Sequence, residues 1–211
     1  MTGFTQSYAS GTSDVPLIGS TIGAAFDAAA MRWGARDALV VRGRDIRWSW
    51  SDLKERVDNF AAGLFDLGLE TGSRIGIWAP NCAEWTVTQF ATAKAGLILV
   101  NINPAYRLAE LDYALNKAGC AALVTAVSFK TSDYLGMIRN LAPEIDTSAP
   151  GDLKAARLPD LRHVILIGGG DVPGTFAFDD ILERGRVVGQ AAVDALAPRL
   201  QFDDPINIQF T

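Results

Sequence analysis

Asn81-Cys82-Ala83-Glu84-Trp85 opens an apolar, helix-spaced run that ends at Lys94-Ala95-Gly96. Leu97-Ile98-Leu99-Val100-Asn101-Ile102 comes next, followed by the turn Asn103-Pro104-Ala105-Tyr106-Arg107. The first part reads as a helix. Asn81, with Glu84 three residues later, has the spacing of a capping box, with Asn in place of the usual Ser or Thr. Gly96 is a stop. The unbroken apolar run is the pattern of a strand covered on both faces, as in a parallel sheet. The polar turn then falls at the carboxyl end of that strand. Ligands of open parallel sheets bind at that edge, so residues 103–107 are the first place to look for a site.

Working outward, the same grammar repeats. Upstream, Arg74-Ile75-Gly76-Ile77-Trp78-Ala79 is a second buried strand, closed by Pro80. Before it, Leu53, Val57, Phe60, Leu64 and Leu67 make one apolar helix stripe, with Ser51 as the expected cap and Gly68 as the stop. Ala38-Leu39-Val40-Val41 and the alternating Asp45-Ile46-Arg47-Trp48-Ser49-Trp50 suggest a hairpin about Gly43. Ile22, Phe26, Ala29 and Trp33 form a first helix behind a Ser20 or Thr21 cap. Residues 1–19 carry no periodicity and read as a loose leader. Downstream come a helix from Leu108 to Lys117, a strand at residues 120–125 and a helix over about 132–141. A polar stretch with three prolines follows at residues 143–159 and is expected on the surface. A strand at residues 163–167, a short helix over 178–185, a possible further helix over 190–198 and an alternating strand from Ile206 to Thr211 complete the chain. Strand and helix alternate from Ile75 onward. That predicts an α/β fold: a doubly wound, mostly parallel sheet with right-handed crossovers and helices on both faces.

Composition narrows the function. Hydrophobic residues are 49% and charged residues 20% of the 211, an ordinary globular balance, and the net charge is −5. A basic footprint is absent, which argues against a nucleic-acid partner. No apolar run is long enough to span a membrane, and the first residues lack the basic and apolar regions of a signal peptide. Cys82 and Cys120 form no Cys-x-x-Cys pair and read as reduced thiols, consistent with the cytoplasm. With one histidine, His163, and two unpaired cysteines, a zinc site is not expected.

Four motifs bear on chemistry. Gly168-x-Gly170, then Gly174, follows a strand, as a phosphate loop would. It is one residue too long for the dinucleotide fingerprint, and Asp171, Val172 and Pro173 stand where a helix should begin. His163 has no assignable partner. Trp48 and Trp50 would share one strand face, as a stacking platform or, better, as packed sheet surface. Arg107 in the 103–107 turn can bind a phosphate or carboxylate, against the plainer reading of a solvated arginine paired with Glu110.

Taken as a set, Trp48-Ser49-Trp50-Ser51-Asp52-Leu53, Arg74 to Asn81, and Lys94-Ala95-Gly96 through Asn103-Pro104 resemble the AMP-forming acyl-CoA synthetases of the adenylate-forming, AMP-binding superfamily. Residues 88–96 and 113–117 look most like the medium- to long-chain fatty-acid branch. The resemblance covers about residues 20 to 211 and implies the front part of a large N-terminal adenylation domain. It implies a fatty-acid–CoA ligase using ATP, magnesium and coenzyme A, with a possible homodimer or self-association through an exposed sheet edge. In that family a strand like Ile206 to Thr211 runs into a Ser-Gly-Thr-Thr-Gly-x-Pro-Lys-Gly phosphate loop, so Thr211 would flank that loop. This chain holds neither the loop nor the later family motifs. The resemblance therefore implies no catalytic or metal-binding residue within these 211, no cofactor bound to them, and no acyl-CoA formation by them alone. Two alternatives stay open: a non-catalytic α/β binding or oligomerisation module, and a nucleotide-binding domain using Gly168 to Gly174.

Overall fold

The computed structural model describes Asp14, Val15 and residues 17–210. Most of the expected leader and Thr211 lie outside the described residues. Thr21 opens α1 (Ile22–Trp33), its hydroxyl accepting from the Ala24 amide at 3.2 Å. β1 (Asp37–Val41) and β2 (Ile46–Ser49) pair antiparallel, as the alternation predicts. The next helix, α2 (Trp50–Asp66), begins earlier than a Ser51 cap would allow. Ser49 is the cap. Its hydroxyl accepts from the Asp52 amide at 3.1 Å, and the Asp52 carboxylate accepts from the Ser49 amide at 2.9 Å. This reciprocal box satisfies two orphan amides at once, which favours the earlier serine. Trp50 thereby leaves the strand, and the shared Trp48–Trp50 face does not form. Trp50 packs tilted against Phe26 and Trp33, with ring centroids at 6.0 and 5.9 Å, while Arg56 covers Trp48 at 4.3 Å.

The predicted alternation follows in β3 (Arg74–Trp78), α3 (Ala83–Lys94), β4 (Ile98–Asn101), α4 (Leu108–Ala118) and β5 (Cys120–Ala126). A small hairpin of β6 (Ser128–Phe129) and β7 (Ser132–Asp133) leads into α5 (Tyr134–Leu141). Then come β8 (His163–Ile167), β9 (Phe176–Ala177), α6 (Phe178–Val188), α7 (Ala191–Leu196) and β10 (Asn207–Gln209). Six strands build one sheet in the order β10-β4-β3-β5-β8-β9, parallel at every pairing. Each face is covered. On one, α2, α3 and α6 pack Phe60, Val87 and Ile181 against Ile75 and Ile77. On the other, α4 and α5 pack Leu111 and Ile138 against Val100, Leu123 and Val164. The fold is the doubly wound sheet that the sequence predicts.

Two further expectations fail. α3 is not capped by Asn81: its N-cap is Cys82, with no side-chain bond. Glu84 instead receives two bonds from the Arg44 guanidinium, at 2.7 and 2.8 Å. A charge-assisted pair outweighs one bond to a neutral amide. Nor do residues 143–159 stay on the surface. They insert Ile145, Leu153, Ala155 and Leu158 into the second core, each at 3% exposure or less. Their apolar positions fit neither a helix nor a strand period, so the pattern hides a burial that the hydrophobic effect still enforces.

Candidate functional site at the carboxyl edge of the sheet

The connection after β3 runs through α3 on one face of the sheet. Those after its neighbours β4 and β5 run through α4 and α5 on the other. The backbones diverge at the carboxyl end of β3, which makes it the switch point where a ligand crevice belongs. Trp78 closes that strand and is fully buried. Its carbonyl accepts from the Thr125 hydroxyl at 2.9 Å, tying β3 to β5 at this edge.

The 103–107 turn stands directly beside it. Pro104 sits at the second turn position, and the Asn103 carbonyl accepts from the Tyr106 amide at 2.9 Å. The Asn103 side-chain oxygen accepts from the Ala105 amide at 2.9 Å. Two buried rings hold the turn from beneath: the Trp78 indole N–H donates to the Asn103 carbonyl at 3.2 Å, and the Tyr134 hydroxyl donates to the Pro104 carbonyl at 2.5 Å. The rings stack with centroids 3.7 Å apart and planes at 15°. Burial raises the Tyr134 pKa, opposed in part by the Arg107 charge, so its hydroxyl keeps the proton it donates.

Arg107 therefore sits at the edge where the sequence places it. Its predicted pairing with Glu110 takes another form. The Glu110 carboxylate accepts from the Arg107 backbone amide at 3.1 Å, while the guanidinium donates to the Ser132 hydroxyl at 2.5 Å. An exposed guanidinium on a neutral partner keeps its charge available to an anion. Ser132, Tyr134 and Trp78 had no place in the sequence-derived site. The one sequence signal is an aromatic residue at the end of an otherwise aliphatic strand. The partners of Trp78 lie 25 and 56 residues away along the chain and carry no local mark.

The other candidates part company with this site. Gly168 and Gly174 have φ of 67° and 71°, but a Cβ at Gly174 would lie 2.2 Å from the Ile145 carbonyl oxygen. Close packing accounts for that glycine. The next helix, α6, begins only after β9, and its first turn carries Asp179 and Asp180, which repel a phosphate. His163 is buried at the start of β8 with its Nδ1 unpartnered. Burial raises the Cys82 thiol to about 11 and the Cys120 thiol to about 12, so neither is a nucleophile at neutral pH. No group of three or more His, Cys, Asp or Glu among the described residues is placed to hold a metal ion. No helix among them is long and apolar enough to cross a membrane. A cavity of about 180 Å³, lined in part by Ile22, Ile98, Leu200 and Phe202, lies at the opposite, amino edge of the sheet, away from these polar groups.

The profile of the AMP-binding enzyme family matches residues 26–211. The mitochondrial medium-chain acyl-CoA ligase ACSF2 of Mus musculus is 44% identical over 97% of this chain, and that of Danio rerio 42% over 98%. The chain spans about a third of the length of these relatives, 33% and 34%. A long-chain-fatty-acid-CoA ligase from Archaeoglobus fulgidus superposes with a TM-score of 0.69 over 97% of this chain and 37% of its own. At 18% identity that likeness speaks for the fold alone.

Proposed function

The chain belongs to the AMP-binding enzyme family, and from that premise we propose that the protein carrying it activates a fatty acid with ATP and transfers it to coenzyme A. One observation carries this reading: identity of 42–44% along nearly the whole chain to relatives named medium-chain acyl-CoA ligases. In such a reaction the fatty-acid carboxylate attacks the α-phosphorus of ATP and expels pyrophosphate. The thiol of coenzyme A then attacks the acyl carbon and expels AMP. Much of the catalysis is positioning and neutralisation of phosphate charge.

Within this scheme, residues 20–211 are the front of the adenylation domain and residues 1–19 its leader. Arg107 is the anion contact that this part supplies, and Thr211 is the residue adjoining the phosphate loop. Magnesium, which the family implies alongside ATP, finds no carboxylate cluster among the described residues. Two free thiols, one buried and one half-buried, support a reducing compartment such as the cytoplasm. The β10 edge is the surface available to a second copy.

The test is release of pyrophosphate from ATP by the full-length protein, with magnesium and a medium-chain fatty acid. Turnover that depends on the fatty acid is expected. Absence of turnover with fatty acids of every length overturns the reading. The 211-residue chain, which lacks the Ser-Gly-Thr-Thr-Gly-x-Pro-Lys-Gly sequence, is expected to release none.

A further inference from the structure

We propose that Trp78, Ser132 and Tyr134 form a clamp that presents the Arg107 guanidinium to a phosphate group of ATP or coenzyme A at the carboxyl edge of the sheet. The proposal rests on the ligase reading and names positioning residues for it.

Two carboxylates beside this contact in the chain bond to backbone amides. Glu110, one turn into α4, gives its carboxylate to the Arg107 backbone amide. Asp133 gives its own to the Gly136 amide, as the cap of α5. Glu110 and Asp133 thus each accept from a helix amide. The guanidinium is left with the Ser132 hydroxyl, which orients it without neutralising it. A structural arginine would be expected to take one of those carboxylates, because a paired charge is the more stable arrangement. An arginine kept for a ligand is better served by a neutral guide.

The second part is rigidity. Residues 132–134 act from one segment: Ser132 holds the guanidinium, Asp133 caps the helix and Tyr134 holds the Pro104 carbonyl. Trp78 stacks on Tyr134 and holds the neighbouring Asn103 carbonyl. Pro104 has no N–H of its own, so the turn gains fixity from donors to its carbonyls. Both rings are fully buried, and their positions follow the packed core rather than solvent. A guanidinium held at both its backbone and its side chain loses less freedom when it meets a phosphate.

The experiment uses the full-length protein and measures KM for ATP and for coenzyme A separately, together with kcat, and the affinity for each by calorimetry. Arg107→Ala should raise KM for one of the two by about tenfold, the usual cost of one charge-assisted hydrogen bond. Which one rises identifies the source of the phosphate. Tyr134→Phe, which keeps the stack, and Ser132→Ala should each raise that same KM by about three- to tenfold, with kcat within about twofold. Tyr134→Phe added to Arg107→Ala should cost little more than Arg107→Ala alone, because both act through one contact. If Arg107→Ala changes neither KM, the anion role of Arg107 fails. If it changes one while Tyr134→Phe and Ser132→Ala change nothing, the clamp fails. The clamp also fails if Tyr134→Phe raises both KM values equally and lowers the melting temperature, since that is a purely structural effect. Absence of turnover in the unaltered protein sinks the ligase reading, and the calorimetric affinities then decide the clamp.

Discussion

His163 begins β8 with its ring at 6% exposure, stacked over Phe176 at 6.3 Å, and its Nδ1 without a partner. Burial pushes its pKa below the usual 6.5, and the neighbouring Arg162 charge pushes the same way. The folded state therefore holds the imidazole neutral, whereas the unfolded chain binds a proton near pH 6.5. Stability is complete above that value and falls as the pH drops from about 6.5 toward the depressed folded value. His163 is the only histidine in the sequence. It is thus the only side chain with an ordinary pKa in this window. The urea midpoint should be lower at pH 5.5 than at pH 7.5, and His163→Leu should flatten that difference. The cysteines test burial another way. With thiols raised to about 11 and about 12, Cys82 and Cys120 should react with iodoacetamide far more slowly in the folded protein than in urea. Equal rates in both states would contradict the burial.

Among the elements, α2 and α6 approach backbone to backbone. A Cβ at Gly185 would lie 1.7 Å from the Asn59 carbonyl oxygen, and one at Gly63 would lie 2.1 Å from that of Ile181. Backbone meets backbone there, and no rotamer can yield. Gly185→Ala should cost at least the upper end of the ~1–3 kcal/mol typical of overpacking. Gly43→Ala, which meets nothing within 4 Å, should be nearly neutral. Urea unfolding of both variants checks the contrast. Ser49→Ala should cost ~1 kcal/mol through loss of the α2 box, while Ser51→Ala should cost far less. That pair also marks the limit of what could be read locally. Both serines precede an apolar stripe, and each could serve as a cap. The choice depends on which one has an acid three residues on, and Asp52 stands at that spacing from Ser49. Gly68 and Gly96 were legible as stops because α2 and α3 each run out into a left-handed glycine there. The Asn81 box was misread because its glutamate had a better partner 40 residues upstream, a contact made only by the fold.

At the scale of the whole molecule, the parallel sheet was legible because β3, β4, β5 and β8 are covered on both faces and show it as unbroken apolar runs. The site was legible only as an edge. Arg107 could be placed on it from the strand-turn-helix order. The ring pair that holds the 103–107 turn comes from β3 and α5, which the topology brings together, and no sequence window contains both. The same topology leaves the two sides of the sheet unequal. β9 is short but leads at once into α6, whose Phe178 and Ile181 are buried in the first core. β10 pairs with β4 over three register positions, and its Ile208 and Phe210 are only partly buried. Among the described residues no strand pairs with its outer side, and an edge of this kind is a template for another chain. In the 211-residue chain, amides of residues 207–209 should therefore exchange with solvent much faster than those of β3 and β5, which are paired on both sides. Hydrogen exchange at two protein concentrations makes the measurement decisive for self-association. Fast exchange at both concentrations means a free edge. Protection of these three residues that grows with concentration, while β3 and β5 stay unchanged, means that one copy completes the sheet of another through β10.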